Sequence, residues 1–495
     1  MATLGAPTAR GAAPPRDRPN LVVIVLDTVR LRSVDPRFGG PVAATPEIGR
    51  LAASGTTFDR AIAPGNWTVP SHMSLLTGTY PWVHGRRSFE TGPAPLPTIA
   101  EWLRDRGYAT AVFTEETHLV AGYGLESGYD ERFAQRLATS DEERTIVNRL
   151  VGHSGVLYSP GILRLMHRLP PLAIPITAVN FQQELAFKRE VCGPFMTAAF
   201  ERWLERRPAD GRPFHALFNF VDGHEPYAPG PGIAGWVRLG YSQIPRFYLL
   251  AVPGLADRVR WTEVERRYLR AIESADVKVG AVVRALDRAG ARSNTWVVVT
   301  SDHGQVFGER GYVYHGCGAQ DAVARVPLVM AGPSATRVAS RIEGWTSLCE
   351  VPSFLKSVAL GQPPFGPDGS ASVPFPAAPP PSRPVFCEGG PASDPNFSLR
   401  GLRPDAEWNH RLIAAYDRDT KWTMDLATRT VHRSAAEPDA DRAERVTLSG
   451  VESVEALARV YGIRSADDFA RFKPSRATER RRPLKDERMR SWGYD

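Results

Sequence analysis

Three apolar runs in this chain of 495 residues end in a carboxylate, and two of the three carboxylates are followed closely by histidine. Leu21-Val-Val-Ile-Val-Leu26 runs into Asp27. Phe214 to Val221 runs into Asp222, with His224 two residues on. Trp296 to Ser301 runs into Asp302-His303-Gly304. A wholly apolar run of this length reads as a strand buried on both faces of a parallel sheet. In such sheets ligands bind beyond the carboxyl ends of the strands. Acidic strand ends gathered in one crevice repel one another unless a cation sits among them. One Asp at a strand end commonly does no more than cap the next turn. Three of them, two with a nearby His, point to a bound metal ion. Mixed oxygen and imidazole ligation suits Zn²⁺ or Mn²⁺, and the carboxylates alone also accept Ca²⁺ or Mg²⁺.

A fourth segment, Asn66-Trp-Thr-Val-Pro-Ser-His-Met-Ser-Leu-Leu-Thr-Gly78, places Thr68 two residues before Pro70 at the start of a helix-compatible run. The spacing predicts Thr68 as the N-cap of that helix. The same position has a chemical use. A helix N-terminus offers free N–H groups and positive dipole density, so a hydroxyl there, beside a divalent ion, deprotonates more readily and its oxyanion is stabilised. His72 follows Thr68 by one helical turn, where it either touches a bound anion or packs in the core.

These residues need a frame. Pro46–Ala53 reads as a helix capped by Thr45, with Pro46 at its first position. Pro97–Arg106 reads as a second helix stopped by Gly107, and Tyr108–Phe113 as the next strand. Trp261–Ala289 reads as a long amphipathic helix, with Leu269, Ile272, Ala275, Val279, Val282 and Leu286 at helical spacing. Strands alternating with helices imply an α/β fold with a parallel or mixed sheet covered on both faces. The expected organisation is a disordered lead over 1–18 and a catalytic domain over 19–365. Lid-like insertions at 139–190 and 229–260, rich in aromatic and apolar residues, interrupt that domain. A Pro-rich linker at 366–384, a small subdomain at 385–475 and a charged tail at 476–495 follow.

Further short stretches recur in the order of one known family. They are Leu21-Val-Val-Ile-Val-Leu-Asp-Thr-Val-Arg30, Thr45-Pro-Glu-Ile-Gly-Arg-Leu-Ala52, Pro70-Ser71 with Leu75-Leu-Thr-Gly78, and Leu96-Pro-Thr-Ile-Ala100. After these come His224-Glu-Pro-Tyr227, Thr300-Ser-Asp-His-Gly304, Gly308-Glu309, His315-Gly316 and Arg325-Val-Pro-Leu328. Together they resemble the sulfatase-like family of the alkaline phosphatase superfamily over residues 19–335. Arg383-Pro-Val-Phe-Cys-Glu388 and Thr420-Lys-Trp422 are similar to its smaller second domain. The resemblance implies a large mixed, mostly parallel sheet sandwiched by helices, with a small C-terminal α+β subdomain. It places Asp27, Asp302 and His303 on metal-ligand positions and Thr68 on the nucleophile position, where its oxygen is a fourth ligand.

The departures from the family change the expected chemistry. Sulfatases carry Cys or Ser followed by x-Pro-x-Arg and convert it to formylglycine. Here those positions hold Thr68 and His72. Threonine bears a methyl on its β-carbon and cannot become that aldehyde hydrate. Thr28 stands where a second Asp ligand is usual, and Thr114-Glu-Glu-Thr-His118 replaces a Gly-Lys-x-His segment. A Thr nucleophile is the pattern of the superfamily's phosphodiesterases and phosphoethanolamine or glycerol-phosphate transferases, which also carry a further His much as His315 follows His303. The expected reaction is therefore displacement at phosphorus by Thr68. His224 and His315 serve the leaving oxygen or, with Asp222, hold a second metal ion. A formylglycine-independent enzyme of sulfate or sulfamate esters, and a non-catalytic binding protein on the same fold, are the rival readings.

Bulk properties narrow the partners. The formal charge is +7, but only six of the 61 basic residues are Lys and the charge is dispersed. The expectation is a small anionic ester as ligand, with no nucleic acid and no membrane contact, and nothing in the sequence speaks to oligomeric state. Cys192, Cys317, Cys349 and Cys387 lack metal-site or redox spacing. With no apolar core segment near the N-terminus, the expected location is the cytoplasm.

Overall fold

The computed structural model describes residues 18–134, 195–227, 259–366, 372, 384–390, 410–436 and 446–448, apart from single residues and short runs within them. The lid-like segment 139–190, nearly all of 229–260, most of the linker 366–384, His118 and the tail 476–495 lie outside the described residues.

An eight-stranded sheet forms the frame. In chain order its strands are β1 (Asn20–Leu26), β2 (Thr56–Ile62), β3 (Ala109–Thr114), β4 (Glu131–Ala134), β5 (Phe214–Phe220) and β6 (Thr295–Thr300). A two-stranded hairpin follows, β7 (Val306–Phe307) with β8 (Val313–Tyr314), and then β9 (Leu328–Ala331) and β10 (Arg341–Ser347) complete the large sheet. The spatial order is β10-β2-β9-β6-β1-β5-β3-β4. Every neighbouring pair is parallel except the two made by β9, which runs against β6 and β2. The fully apolar Leu21–Leu26 run takes the centre, and every residue of β1 is buried. This is the mixed, mostly parallel sheet that the resemblance implies.

Helices cover both faces. Val22, Ile24 and Leu26 meet α1 (Pro46–Ser54), α5 (Phe195–Glu205) and α6 (Trp261–Arg288) on one side. Leu21, Val23 and Val25 meet α2 (Thr68–Thr77), α4 (Ile99–Arg104) and α8 (Val351–Ala359) on the other. Two short helices, α3 (Pro81–His84) and α7 (Asp321–Ala324), lie in connections. The sequence places α4 two residues too early. Thr98 is its cap, because the Thr98 hydroxyl accepts from Glu101 N and the Glu101 carboxylate accepts from Thr98 N. Thr45 stands at the cap of α1 but makes no capping bond. Asp276 of α6 takes the free N–H groups of Glu47 and Ile48 instead, at 3.0 and 2.8 Å.

The C-terminal sheet is an antiparallel meander of β11 (Val385–Gly389), β12 (Leu412–Asp417), β13 (Thr420–Asp425), β14 (Thr430–Ala435) and β15 (Val446–Leu448). Val385, Cys387, Leu412, Ala414 and Tyr416 pack on Ile62, Ala324 and Trp345 of the large domain. At the centre of that junction Asp321 accepts from Lys421 Nζ at 2.6 Å, Tyr416 OH at 2.8 Å and Arg325 Nε at 3.1 Å.

Candidate active site

Strand geometry brings the acidic strand ends together. β1 and β6 are parallel neighbours, so Asp27 and Asp302 emerge side by side, and His303 follows Asp302. All three are wholly buried. Their ligand atoms lie within 4.8 Å of one another. His303 Nε2 is 3.4 Å from Asp302 Oδ2 and 3.8 Å from Asp27 Oδ1. His303 Nδ1 donates to the Gly304 carbonyl at 3.0 Å, which leaves Nε2 as the atom facing both carboxylates.

The turn after β1 is strained. Thr28 sits at φ 63°, a conformation uncommon outside glycine. Tyr268 of α6 holds it in place, donating to Thr28 O and accepting from Arg30 N, both at 2.8 Å. Thr28 N then points at Asp302 Oδ1 (3.3 Å), which His303 N also reaches at 2.9 Å. A side chain at Gly223 would stand 2.6 Å from the Asp27 carbonyl, so that close approach requires glycine.

Thr68 enters from the opposite face. The cap of α2 is Trp67, and Thr68 is the first helical residue, which corrects the expectation that Thr68 is the cap. The Trp67 side chain makes no capping bond. The first turn of α2 is fastened to the acidic cluster at two points. Ser71 Oγ donates to the Asp302 carbonyl. His72 Nδ1 lies 3.0 Å from the Thr68 carbonyl and 3.4 Å from Asp302 Oδ2. Both are acceptors, so Nδ1 carries the proton, and Nε2 takes the Asn219 amide at 3.1 Å. With both nitrogens engaged inside the protein, His72 braces Asp302 rather than facing outward. Burial pushes the Asp302 carboxyl above its ordinary range, against the pull of His72, the Thr28 and His303 N–H groups and His224.

A second cluster adjoins the first. His224, Glu225 and His315 form a group of the same compactness. Ring centres are 4.7 Å apart for His303 and His315, and 4.8 Å for His224 and His315. Gln305 sets the tautomer of His315. Its amide nitrogen donates to Glu225 Oε2 (2.6 Å) and the Tyr227 hydroxyl (2.8 Å), which turns its oxygen to His315 Nδ1 at 2.8 Å. Nδ1 of His224 is likewise tied, to the Glu225 carbonyl at 2.5 Å. All three histidines therefore present Nε2 with its lone pair.

Asp222 is not part of this group. It pairs with Lys278 of α6 at 2.7 Å, and Lys278 also reaches Glu115 at 2.6 Å. Of the residues expected for a second ion, His224 and His315 lie together with Glu225, and Asp222 pairs with Lys278 instead. Glu225 lies inside His224-Glu-Pro-Tyr227 and Gln305 two residues after His303. Adjacency was the only sequence signal for either. Glu115, at the start of the replaced Gly-Lys-x-His segment, is pushed up to about 8 by burial and by Asp222, against the pull of Lys278.

The donor set fits a divalent cation. Two buried carboxylates and an imidazole Nε2 face one another, an arrangement that is repulsive until positive charge lies between them. Oxygen and nitrogen donors of this kind suit Zn²⁺ or Mn²⁺ best.

Comparison with known proteins agrees with the geometry. The family model described as Sulfatase matches residues 19–355. Iduronate 2-sulfatase of Mus musculus is 23% identical over 344 residues, covering 65% of this chain and 60% of that protein. This chain therefore spans less than two thirds of the length of that relative. A structure solved in complex with its substrate D-glucosamine-2-N,6-O-disulfate superposes with a TM-score of 0.59 at 14% identity, covering 94% of this chain and 100% of the other. The phosphonate monoester hydrolase of Agrobacterium radiobacter gives 0.53 at 20% identity, covering 93% and 94%. At these identities the structural matches speak to the fold alone.

Proposed function

This chain belongs to the sulfatase family, and from that premise we propose that it is a metal-dependent hydrolase or transferase using Thr68 as nucleophile on a phosphate ester or diester. What supports this reading is the fastening of the first turn of α2 to Asp302 through Ser71 and His72, which ties the helix that Thr68 opens to the acidic cluster. Asp27, Asp302, His303 and the Thr68 oxygen would hold the ion, which when bound supplies the positive charge that eases deprotonation of the hydroxyl and polarises the phosphoryl oxygens.

The chain's own groups do the rest. Thr68 Oγ forms a bond to phosphorus as the bond to the leaving oxygen breaks. Nε2 of His224 or His315, left as the lone-pair atom by its anchored Nδ1, takes the Thr68 proton and passes it to that leaving oxygen. Water or an acceptor alcohol then attacks phosphorus, gives its proton to the same histidine and returns Thr68. The preference for phosphorus follows from the nucleophile. A formylglycine hydrate expels sulfate by carbon–oxygen cleavage, whereas a threonine ester must be cleaved at phosphorus or sulfur. A sulfo-threonine carries less charge for a cation to act on, so that second step stalls.

The sulfate reading has its own support, since the curated relative is named for sulfate. Parallel assays of 4-nitrophenyl phosphate, bis(4-nitrophenyl) phosphate and 4-nitrophenyl sulfate separate the two. The expected result is steady turnover of a phosphorus ester and at most a single-turnover burst on the sulfate. Thr68→Ala is expected to lower turnover by about 10⁴-fold or more and stability by no more than ~1 kcal/mol. Mass spectrometry of the Thr68 peptide should show threonine or phospho-threonine. An Ala variant with intact activity sinks the assignment, and sustained sulfate release lost in that variant moves the chemistry to sulfur.

A further inference from the structure

Two arginines that the mechanism does not use stand on either side of a strand that adjoins the loops bearing Thr68 and His315. β11 runs between the two loops that frame the site. Glu388 N donates to Pro64 O at 2.8 Å, and Glu388 forms a parallel bridge with Gly65, three residues before Thr68. Asn66 Nδ2 donates to both Gly318 O and Gly390 O at 3.0 Å, and Gly316 N donates to Asn66 O at 2.8 Å. The end of β11 is thus sewn between the Thr68 loop and the His315 loop. A side chain at Gly389 would lie 2.0 Å from Gly318 O, so the approach is as close as backbones allow.

On this strand Glu388 gathers the arginines. Arg87, from the loop after α3, donates Nε to Glu388 Oε1 at 2.5 Å, and Arg411, just before β12, donates Nε to the same oxygen at 2.6 Å. Stacking of Tyr80, Trp82 and Phe386 fixes α3 against β11, with ring centres 4.5 to 5.4 Å apart, and so places Arg87. Among the described residues two guanidinium charges meet one carboxylate, a surplus of one positive charge. Arg87 Nη2 and Arg411 Nη2 have no hydrogen-bond partner among the described residues, and neither does Glu388 Oε2. The arginine side chains are 14% and 18% exposed as a whole, while those two Nη2 atoms are themselves buried. Arg86, the adjacent cation, is instead spent on the carbonyls of Thr91, Gly92 and Pro93. An uncompensated guanidinium pair with donors left over is the recognition element for an oxyanion.

We propose that Arg87 and Arg411, braced by Glu388, bind a second anionic group of the substrate, a carboxylate, sulfate or phosphate other than the one cleaved. The inference rests on the reading of the protein as an ester hydrolase or transferase and narrows its substrates to esters carrying at least two negative groups. It is testable without turnover. A series of α,ω-alkanedisulfonates is titrated calorimetrically into the full chain, each against its alkanemonosulfonate. At the chain length that spans from the catalytic centre to the arginines, the disulfonate is expected to bind about tenfold tighter, the scale of one charge-assisted contact. In Arg411→Gln and Arg87→Gln the ratio falls towards one while monosulfonate binding is kept. Arg411→Lys, which keeps the charge but not the fork, retains part of the gain. A ratio of one at every length in the unsubstituted chain overturns the proposal, as does a ratio unmoved by either Gln variant. A Gln variant that melts early is judged by its Lys counterpart, and an unchanged ratio there counts against the arginine fork. Loss of phosphatase activity in Thr68→Ala has no bearing on these titrations, so failure of the nucleophile assignment is read separately.

Discussion

Asp302 and Asp321 are both buried among charged neighbours and burial disfavours the charge on each, yet their net shifts run in opposite directions. Asp302 lies above the ordinary carboxyl range, because burial outweighs the pull of His72, two backbone N–H groups and His224. Asp321 at the subdomain junction is buried as deeply, but Lys421, Arg325 and the Tyr416 hydroxyl outweigh desolvation and hold it below the ordinary range. The difference lies in what faces each carboxylate. Asp321 has permanent cations supplied by the chain. Asp302 has another carboxylate and histidines, a set that a bound cation would complete. Burial with full compensation marks a joint, and burial without it marks a site.

The comparison can be broken at either end. Asp302→Asn is expected to lower turnover by about 10³-fold or more, with little loss of metal-free stability. Melting curves and steady-state rates of the two proteins check this. If the variant keeps its rate, Asp302 is no more than a buried bystander. Asp321→Asn should do the reverse. It leaves Lys421 and Arg325 with an uncompensated charge, a cost of about 3–5 kcal/mol, while kcat per folded molecule is preserved. Denaturant unfolding measures the first, and an activity titration against folded fraction the second.

Metal removal sharpens the contrast. Adding a divalent ion at 100 times its Kd stabilises a protein that binds it only when folded by about 2.7 kcal/mol. That rise should be present in the unsubstituted protein and in Asp321→Asn, and absent in Asp302→Asn. An equal rise in all three places the ion elsewhere.

The Lys278 cluster is intermediate, with one cation for two carboxylates, and its effect is the smallest. Glu115 stands at about 8 against an ordinary 4.5. Its ionised form is therefore penalised in the folded state, and stability falls as pH rises from about 4.5 to about 8 and is level outside that window. Glu115→Gln should flatten this slope and raise the melting temperature at pH 9 more than at pH 4. A slope identical in both proteins assigns it to another group.

The sequence foretold position where a local pattern dictates it. Asp27, Asp302 and His303 were legible because each ends or follows an apolar run that can only be a buried strand. Asp222 has the same local pattern and a different role, since its partner Lys278 comes from a helix 56 residues away. Glu225 and Gln305 carried no spacing signal, because their task is to orient a neighbour. The resemblance located Thr68, but its place one residue inside α2 depends on the backbone of Trp67. β2 and β10 escaped notice for a physical reason. Asp59 interrupts the first and Arg341 opens the second, and the two charges neutralise each other across the pair at 2.5 Å. In isolation each segment reads as polar.

The central place of β1 has a consequence for how the chain is made. Its two neighbours are β5, paired through Leu21 and His215, and β6, paired through Leu21 and Trp296. β1 leaves the ribosome before either. At ~5–20 residues per second, the six-residue apolar run waits roughly 10–40 s for β5 and about 15–60 s for β6. Throughout that interval a fully apolar strand has both edges open, the condition under which nascent chains pair with one another. Shielding of Leu21–Leu26 during synthesis is therefore expected to raise the yield of folded protein.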